Sequence, residues 1–412
     1  MRIALMTNNY KPVVGGVPIS IERLAGGLKE LGHEVTIFAP TYREADFPEG
    51  SPEQDVFRYS TCLNRFLGGI VLPNPFDLRI EREFRKRRYD IIHVHHPMLI
   101  GRTAVYLSRK YCVPLVFTYH TRYEQYVRSY TKGMLKMDRI MPLYLRRFLR
   151  HCDFVFAPTE GMQEYLTDTC KVRRSRTGIL PTGIERKNFD IDPEEGRSIR
   201  RQYGGEKIPF LLTVSRMAGE KNVGFLLESL ARVKALYGKP FRMLMVGDGP
   251  DREALRRRSE ELGLGDTVVF AGAVPNQEIA PYFKAADGFL FASKTETQGI
   301  VVLEAFAGAT PVIAVRASGV EDLVDDGVNG ILTEEDSREY AEKVTVFLES
   351  LDSDCCAGQS QEAYRQMSAN AYRKGVLYRE EAVALKAVHY YNSVIAENAM
   401  QKKRNIRLLP AG

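Results

Sequence analysis

GFLFASKTETQGIVVLEAFAGATPVIAV, residues 288–315, is the stretch that decides the fold. GFLFAS is an apolar run of strand length, IVVLEAFAGA an apolar run of helical length, and TPVIAV a second strand. A strand, a crossover helix and another strand make a βαβ unit, the building block of parallel sheets covered on both faces. The loop KTETQG carries Glu296, and the helix carries a second acid, Glu304, among apolar residues. An acid in such surroundings needs a partner to offset its lost hydration. At about 100° per residue, a helical path returns Glu304 to within roughly 80° of the direction of Glu296. Both carboxylates are therefore expected to reach one ligand. The amides from Thr297, Gln298 and Gly299 to Ile300 open the helix, where free N–H groups and the positive dipole end suit a phosphate or sugar hydroxyls. The competing reading is a capping arrangement plus a stray core acid.

Working outward, the same alternation fills the chain. RIALMT, EVTIFAP, DIIHVHH, PLVFTYH and FVFAPT read as strands with helical stretches between them. The pattern restarts near residue 208 with PFLLTVSR, then FRMLMVGDGP, TVVFAGAV, GFLFAS and TPVIAV. The expected class is α/β, with two Rossmann-like, doubly wound parallel-sheet domains facing across a cleft. Domain boundaries are placed at 1–190, 191–375 and 376–412, the last a helix folding back on the first domain. The polar, turn-rich segment 181–196 reads as part of the hinge. In such sheets ligands sit beyond the carboxyl ends of the strands.

A chain of 412 residues is too long for one ordinary core and suits two domains. Hydrophobic residues at 44% and charged residues at 27% are ordinary for a globular protein, and no apolar run reaches membrane-spanning length. MRIALMTNNY reads as a first strand rather than a signal peptide. The six cysteines follow neither a disulfide framework nor a zinc spacing, which points to a reducing cytoplasm. Charge is unevenly shared: residues 1–180 hold 28 Lys and Arg against 18 Asp and Glu, and the remainder is net acidic. The front half therefore favours anionic surroundings: nucleic acid, lipid or phosphorylated substrates.

Four further features bear on chemistry. Arg216 and Lys221, in SRMAGEKN after a strand, suit a diphosphate, the first as a fork and the second as a point charge. The bland alternative is a solvated loop. Gly15 and Gly16 in the first loop permit close backbone approach to a phosphate. Neither they nor VGDGP (246–250) match GxGxxG, so a nicotinamide cofactor is not expected. His93, His95 and His96 end one strand and His120 the next. Alternation puts His93 and His95 on one face, but no acid or cysteine stands at ligand spacing, so no metal is expected. An imidazole at His120 suits a sugar hydroxyl; the alternative is a hydrogen-bonded strand-end histidine. Finally, residues 121–150 interleave Arg122, Arg128, Lys132, Lys136, Arg139, Arg146, Arg147 and Arg150 with apolar side chains. Arg85, Lys86, Arg87 and Arg88 add charge in FRKRRYD. Basic, apolar and aromatic residues together describe a surface that lies on anionic lipid, against the alternative of an ordinary helix with a core face and a solvated face. KKRNIR (402–407) adds to that surface or is a disordered tail. Basicity alone does not support a nucleic-acid reading without a recognised module.

Taken together, Gly15-Gly16, His120 in TYHT, PTGI (181–184), Arg216, Lys221, VGDGP and the Glu296/Glu304 pair resemble the GT-B glycosyltransferases of family four along nearly the whole chain. The resemblance implies retaining sugar transfer from a nucleotide diphosphate sugar without a metal or other cofactor. It implies that Arg216 and Lys221 hold the diphosphate and Glu304 the ribose. It puts Glu296 with Thr297 to Ile300 on the donor sugar, His120 beside that sugar, and Gly15 and Gly16 near the diphosphate. YHTRYEQYVRSY and SKTETQGIVVLEA are similar to the bacterial branch that glucosylates diacylglycerol. This implies a UDP-glucose donor, a lipid acceptor, and a cytoplasmic protein peripheral on the inner face of the cell membrane. The alternatives are the same chemistry on a soluble sugar or polysaccharide, or a non-catalytic nucleotide-sugar-binding protein.

Overall fold

The computed structural model describes residues 1–13, 15–42, 55–66, 70–123, 137–351 and 359–407. The chain divides into two compact units, Met1–Gly183 with Glu380–Gly412, and Ile184–Arg379. The first junction thus lies seven residues before the expected 190/191 boundary, inside the polar segment, and the tail belongs with the first unit.

Seven parallel strands form the sheet of the first unit: β1 (Arg2–Met6), β2 (Glu34–Pro40), β3 (Val56–Tyr59), β6 (Ile91–Val94), β7 (Leu115–Thr118), β8 (Phe154–Ala157) and β9 (Thr177–Ile179). Their order is β3-β2-β1-β6-β7-β8-β9, every neighbouring pair parallel. Strand direction of travel across the sheet reverses between β1 and β6, so the loops after these two strands open apart there. Alternate side chains pack to opposite faces. Ala4, Met6, Ile92, Val94, Leu115 and Phe117 meet the helices Leu78–Arg87, Ile100–Tyr111, Met137–Leu149 and Glu160–Asp168. Ile3, Leu5, Ile91, Val116 and Phe156 meet the helices Gly16–Glu30 and Glu380–Arg407. The last two helices touch closely: a Cβ on Gly27 would sit 2.8 Å from the Ala384 methyl. The tail is therefore part of the first unit's core.

An antiparallel pair, β4 (Thr61–Phe66) and β5 (Ile70–Pro73), was not expected from sequence. Arg128, Lys132 and Lys136 of the basic stretch lie outside the described residues.

The second unit carries six parallel strands: β10 (Phe210–Val214), β11 (Arg242–Val246), β12 (Val268–Gly272), β13 (Gly288–Phe291), β14 (Val312–Val315) and β15 (Gly330–Thr333). Their order is β12-β11-β10-β13-β14-β15, so the reversal falls between β10 and β13. Helix Ile300–Ala307 connects β13 to β14; apart from Glu304 it is apolar, and it is buried from Val302 onward. Arg200 grips Asp287 through two N–H groups at 2.8 and 3.1 Å, and Asp287 also accepts from the Phe210 amide. That bidentate pair locks helix Pro193–Gln202 to the amino ends of β10 and β13.

Candidate active site

In the second unit the loops that leave β10 and β13 start from neighbouring strands at the reversal. The first carries Arg216 and Lys221, the second Glu296. Lys221 Nζ donates to Glu296 Oε1 at 2.6 Å, and Ser293 Oγ donates to the same oxygen at 2.8 Å. Ser293 is buried and the two ionised side chains are about one-fifth exposed. A charged pair held in a half-dry loop mouth, with a third group fixing the carboxylate, can offer an ammonium to an anionic group and a carboxylate to hydroxyls. Arg216 is more exposed and lies 3.5 Å from Glu220, four residues on in the same loop.

The loop holding Arg216 is clamped by its neighbour. Ser215 N–H donates to Val246 carbonyl and Met217 N–H to Asp248 carbonyl, both at 3.0 Å. The approach requires glycine: a Cβ on Gly247 would lie 1.9 Å from the Ser215 carbonyl oxygen, and one on Gly249 2.3 Å from that of Met217. Gly247 also has φ 133°, a conformation glycine tolerates. This is the structural meaning of VGDGP. Gly319 plays the same part for the other loop: its Cβ would lie 2.8 Å from the Glu296 carbonyl oxygen.

Glu296 lies in the loop, outside the helix, which begins at Ile300 with Gly299 as its left-handed cap at φ 80°. The angular argument relating Glu296 to Glu304 therefore does not hold, because a helical projection applies only within a helix. Glu304 is on the helix, 7% exposed, and Gln298 is buried at 3%. Thr297 is half-buried.

In the first unit, Gly15 caps helix Gly16–Glu30 without a side-chain bond. Asn8 ties this first loop to the loop after β6: its amide side chain donates to the Met98 carbonyl at 3.0 Å and accepts from Ile100 N–H at 3.2 Å. Asn8 N–H donates to His96 Nδ1 at 3.2 Å. The histidines gather behind these loops. His95 and His120 meet at 2.8 Å, and His93 stacks on His95 with ring centroids 4.3 Å apart. His93 contacts Tyr391 Oη through Nδ1 and Thr118 Oγ1 through Nε2, both at 2.6 Å. Burial drives all four imidazoles towards the neutral form, His93 and His120 down to about 3 and His96 to about 4. His95 falls well below its ordinary value for the same reason, helped by its histidine neighbours. Among the described residues no group of three His, Cys, Asp or Glu side chains is placed to hold a metal.

The expected lipid-facing residues divide. Arg147 and Arg150 are exposed. Arg146 instead turns inward and donates to the Thr169 carbonyl at 2.7 Å, closing the end of helix Glu160–Asp168. Arg85, Lys86, Arg87 and Arg88 are all exposed, and Lys86 and Arg87 also pair with Glu83 at 2.6 and 3.7 Å.

The front of the chain, residues 14–188, matches Glycosyltransferase Family 4, and residues 197–374 match Glycosyl transferases group 1. The alpha-monoglucosyldiacylglycerol synthase of Streptococcus pneumoniae is 34% identical over 81% of this chain and 75% of its own. The chain belongs to glycosyltransferase family 4. A second alpha-monoglucosyldiacylglycerol synthase, from Acholeplasma laidlawii, is 29% identical over 80% of this glycosyltransferase and 84% of its own length. A GDP-mannose-dependent alpha-mannosyltransferase of Mycolicibacterium smegmatis is 28% identical over 83% of the chain and 86% of its own. Among solved structures, the sucrose-phosphate synthase of Thermosynechococcus elongatus superimposes with a TM-score of 0.77 at 22% identity, covering 96% of this chain and 99% of its own. Anabaena HepE in complex with UDP gives 0.72 at 19%, covering 95% and 100%. The fold of the glycosyltransferase is GT-B.

Proposed function

We propose that this glycosyltransferase moves glucose from UDP-glucose to the free hydroxyl of diacylglycerol, with retention at the sugar carbon and without a metal ion. The observation that carries the acceptor is the 34% identity to a synthase of monoglucosyldiacylglycerol over four-fifths of the chain. Lys221, already oriented by Glu296, and Arg216 take the diphosphate, and their charge stabilises it as it departs. Glu304 takes the ribose hydroxyls, and Glu296 with the amides of Thr297 to Ile300 takes the sugar. The acceptor hydroxyl attacks from the face the diphosphate leaves and gives its proton to that phosphate.

A lipid acceptor calls for contact with a membrane. The reading is supported by the outer surface of the helical layer on one face of the first sheet. Phe76, Leu78, Tyr106, Ile140 and Leu143 are exposed there. Beside them, helices Ile100–Tyr111 and Met137–Leu149 frame an open groove of about 860 Å³ lined by Arg102, Arg109, Arg147, Tyr106, Tyr144 and Phe148. Cations over apolar and aromatic groups suit the headgroup region of an anionic bilayer. The protein would then lie on the inner face of the cell membrane.

The test is the product formed from a panel of UDP- and GDP-sugars with extracted lipids. Glucose appearing in diacylglycerol from the UDP donor supports the reading; label found only in water-soluble glycans favours a soluble acceptor instead.

A further inference from the structure

The two loops that meet at the reversal of the second sheet are bridged twice. Lys221 and Ser293 both bond to Glu296. The next residue in each loop, Asn222 and Lys294, bonds to another acid, Glu335. Lys294 Nζ donates to both Glu335 oxygens, at 2.7 and 2.6 Å, and Asn222 Nδ2 donates to Oε1 at 3.0 Å. A carboxylate only accepts, so the nitrogen end of the Asn222 amide is the one that faces it. Glu296 is thus the inner bridge and Glu335 the outer, more exposed one.

Glu335 is itself held. It follows β15 by two residues, and the residue after it, Asp336, accepts from the Arg338 and Glu339 N–H groups at 2.9 Å where helix Ser337–Leu351 opens. That helix sets the Tyr340 ring 5.4 Å from the Phe225 ring of helix Val223–Tyr237, which starts directly after Asn222. Asparagine before a helix is a residue type that caps, yet Asn222 makes no side-chain capping bond. Its side chain goes to Glu335 instead. The outer bridge adds little to stability, because Lys294 and Glu335 are 49% and 40% exposed. Its consequence is geometric.

We infer that Glu335 is a positioning residue, which holds the loops after β10 and β13 at the spacing that brings Lys221 to Glu296 and keeps it when a diphosphate draws Lys221 from that carboxylate. The diphosphate rests on the function proposed above; the loop spacing does not. A ligand that breaks the inner bridge meets loops still tied by the outer one, so less ordering is charged against its binding.

Charge gives the test its sign. Removing an acid beside an anion site tightens the anion by Coulomb's law alone, whereas removing a positioning acid weakens it. In calorimetry on the full-length protein, Glu335→Ala should raise the Kd for UDP about fivefold or more, with the melting temperature within about 2 °C of the parent protein. Glu335→Gln keeps an acceptor oxygen at the same reach and should fall between the two. Lys294→Met should also weaken UDP binding, and Glu335→Ala/Lys294→Met should bind no more weakly than the worse single variant, because both lose one bridge. Unchanged or tighter UDP binding in Glu335→Ala, or additive losses in the double variant, overturns the proposal.

The loop spacing is read without ligand. The Lys221 and Asn222 amides donate to the Ala218 and Gly219 carbonyls at 2.9 and 3.2 Å, and their hydrogen exchange should quicken about threefold or more in Glu335→Ala. Unchanged exchange contradicts the proposal. If the parent protein binds no UDP, the proposed function fails, and the exchange rates still decide whether Glu335 holds the loops.

Discussion

Lys221 and Glu296 are 75 residues apart in sequence, yet their charged ends are 2.6 Å apart across the point where the second sheet reverses. Neither is buried enough for the pair to be a core necessity, and Ser293 is spent on fixing the carboxylate. On the proposed function the pair belongs to the donor site. Lys221→Met should weaken UDP binding by tenfold or more in calorimetry while the melting temperature stays within a few degrees. The double variant Lys221→Met/Glu296→Gln should be less impaired than the product of the two single effects, because the groups touch. Parent-like affinity in Lys221→Met would remove the lysine from the site.

The glycines of VGDGP act through the loop they touch. Gly249→Ala sets a methyl 2.3 Å from the Met217 carbonyl oxygen, so the loop bearing Arg216 must move. The expected cost is about 2 kcal/mol of stability and a several-fold rise in donor KM. Denaturant unfolding and steady-state kinetics check both; an alanine protein that is stable and fully active would show that the clamp does not matter.

The histidine cluster sets an acid limit on stability. His93, His95, His96 and His120 have folded-state pKa values below the unfolded value of 6.5. The unfolded chain therefore binds protons first, so their contribution is complete above about pH 6.5 and is lost as pH falls through the folded values. Each ring contributes a slope of up to about 1.4 kcal/mol per pH unit between roughly pH 6 and 4. Unfolding free energy measured at pH 7, 6 and 5 should fall with increasing steepness. A flat profile would mean that the imidazoles are not buried neutral.

Tyr391 brings the tail helix into the histidine stack. Tyr391→Phe removes its hydroxyl from His93 Nδ1 and leaves a buried nitrogen unpaired, at a cost of about 1–3 kcal/mol. Thermal unfolding followed by circular dichroism should show the loss. An unchanged midpoint would indicate that water replaces the hydroxyl.

The strands of both sheets were legible because buried parallel strands are short apolar runs: RIALM, IIHV, FLLTV and GFLF form within the runs RIALMT, DIIHVHH, PFLLTVSR and GFLFAS. What the sequence hid was of three kinds. β3 and β9 are short strands at the sheet's edges, and VFRY and TGI carry polar residues that weaken the apolar signal. The antiparallel pair β4 and β5 includes TCLNRF, where Asn64 and Arg65 interrupt the apolar alternation. The roles of Gly247, Gly249 and Gly319 depend on contacts between loops of different strands, which no local pattern records. The same holds for Arg146, whose place beside the Thr169 carbonyl is a matter of tertiary packing rather than of charge pattern.

The most direct test is single-turnover transfer of radiolabelled glucose from UDP-glucose to diacylglycerol in anionic vesicles, comparing the parent protein with Lys221→Met. The account predicts lipid-soluble label with the parent protein and a rate at least a hundredfold lower with the variant. No labelled lipid from the parent protein, or equal rates for the two, would contradict it.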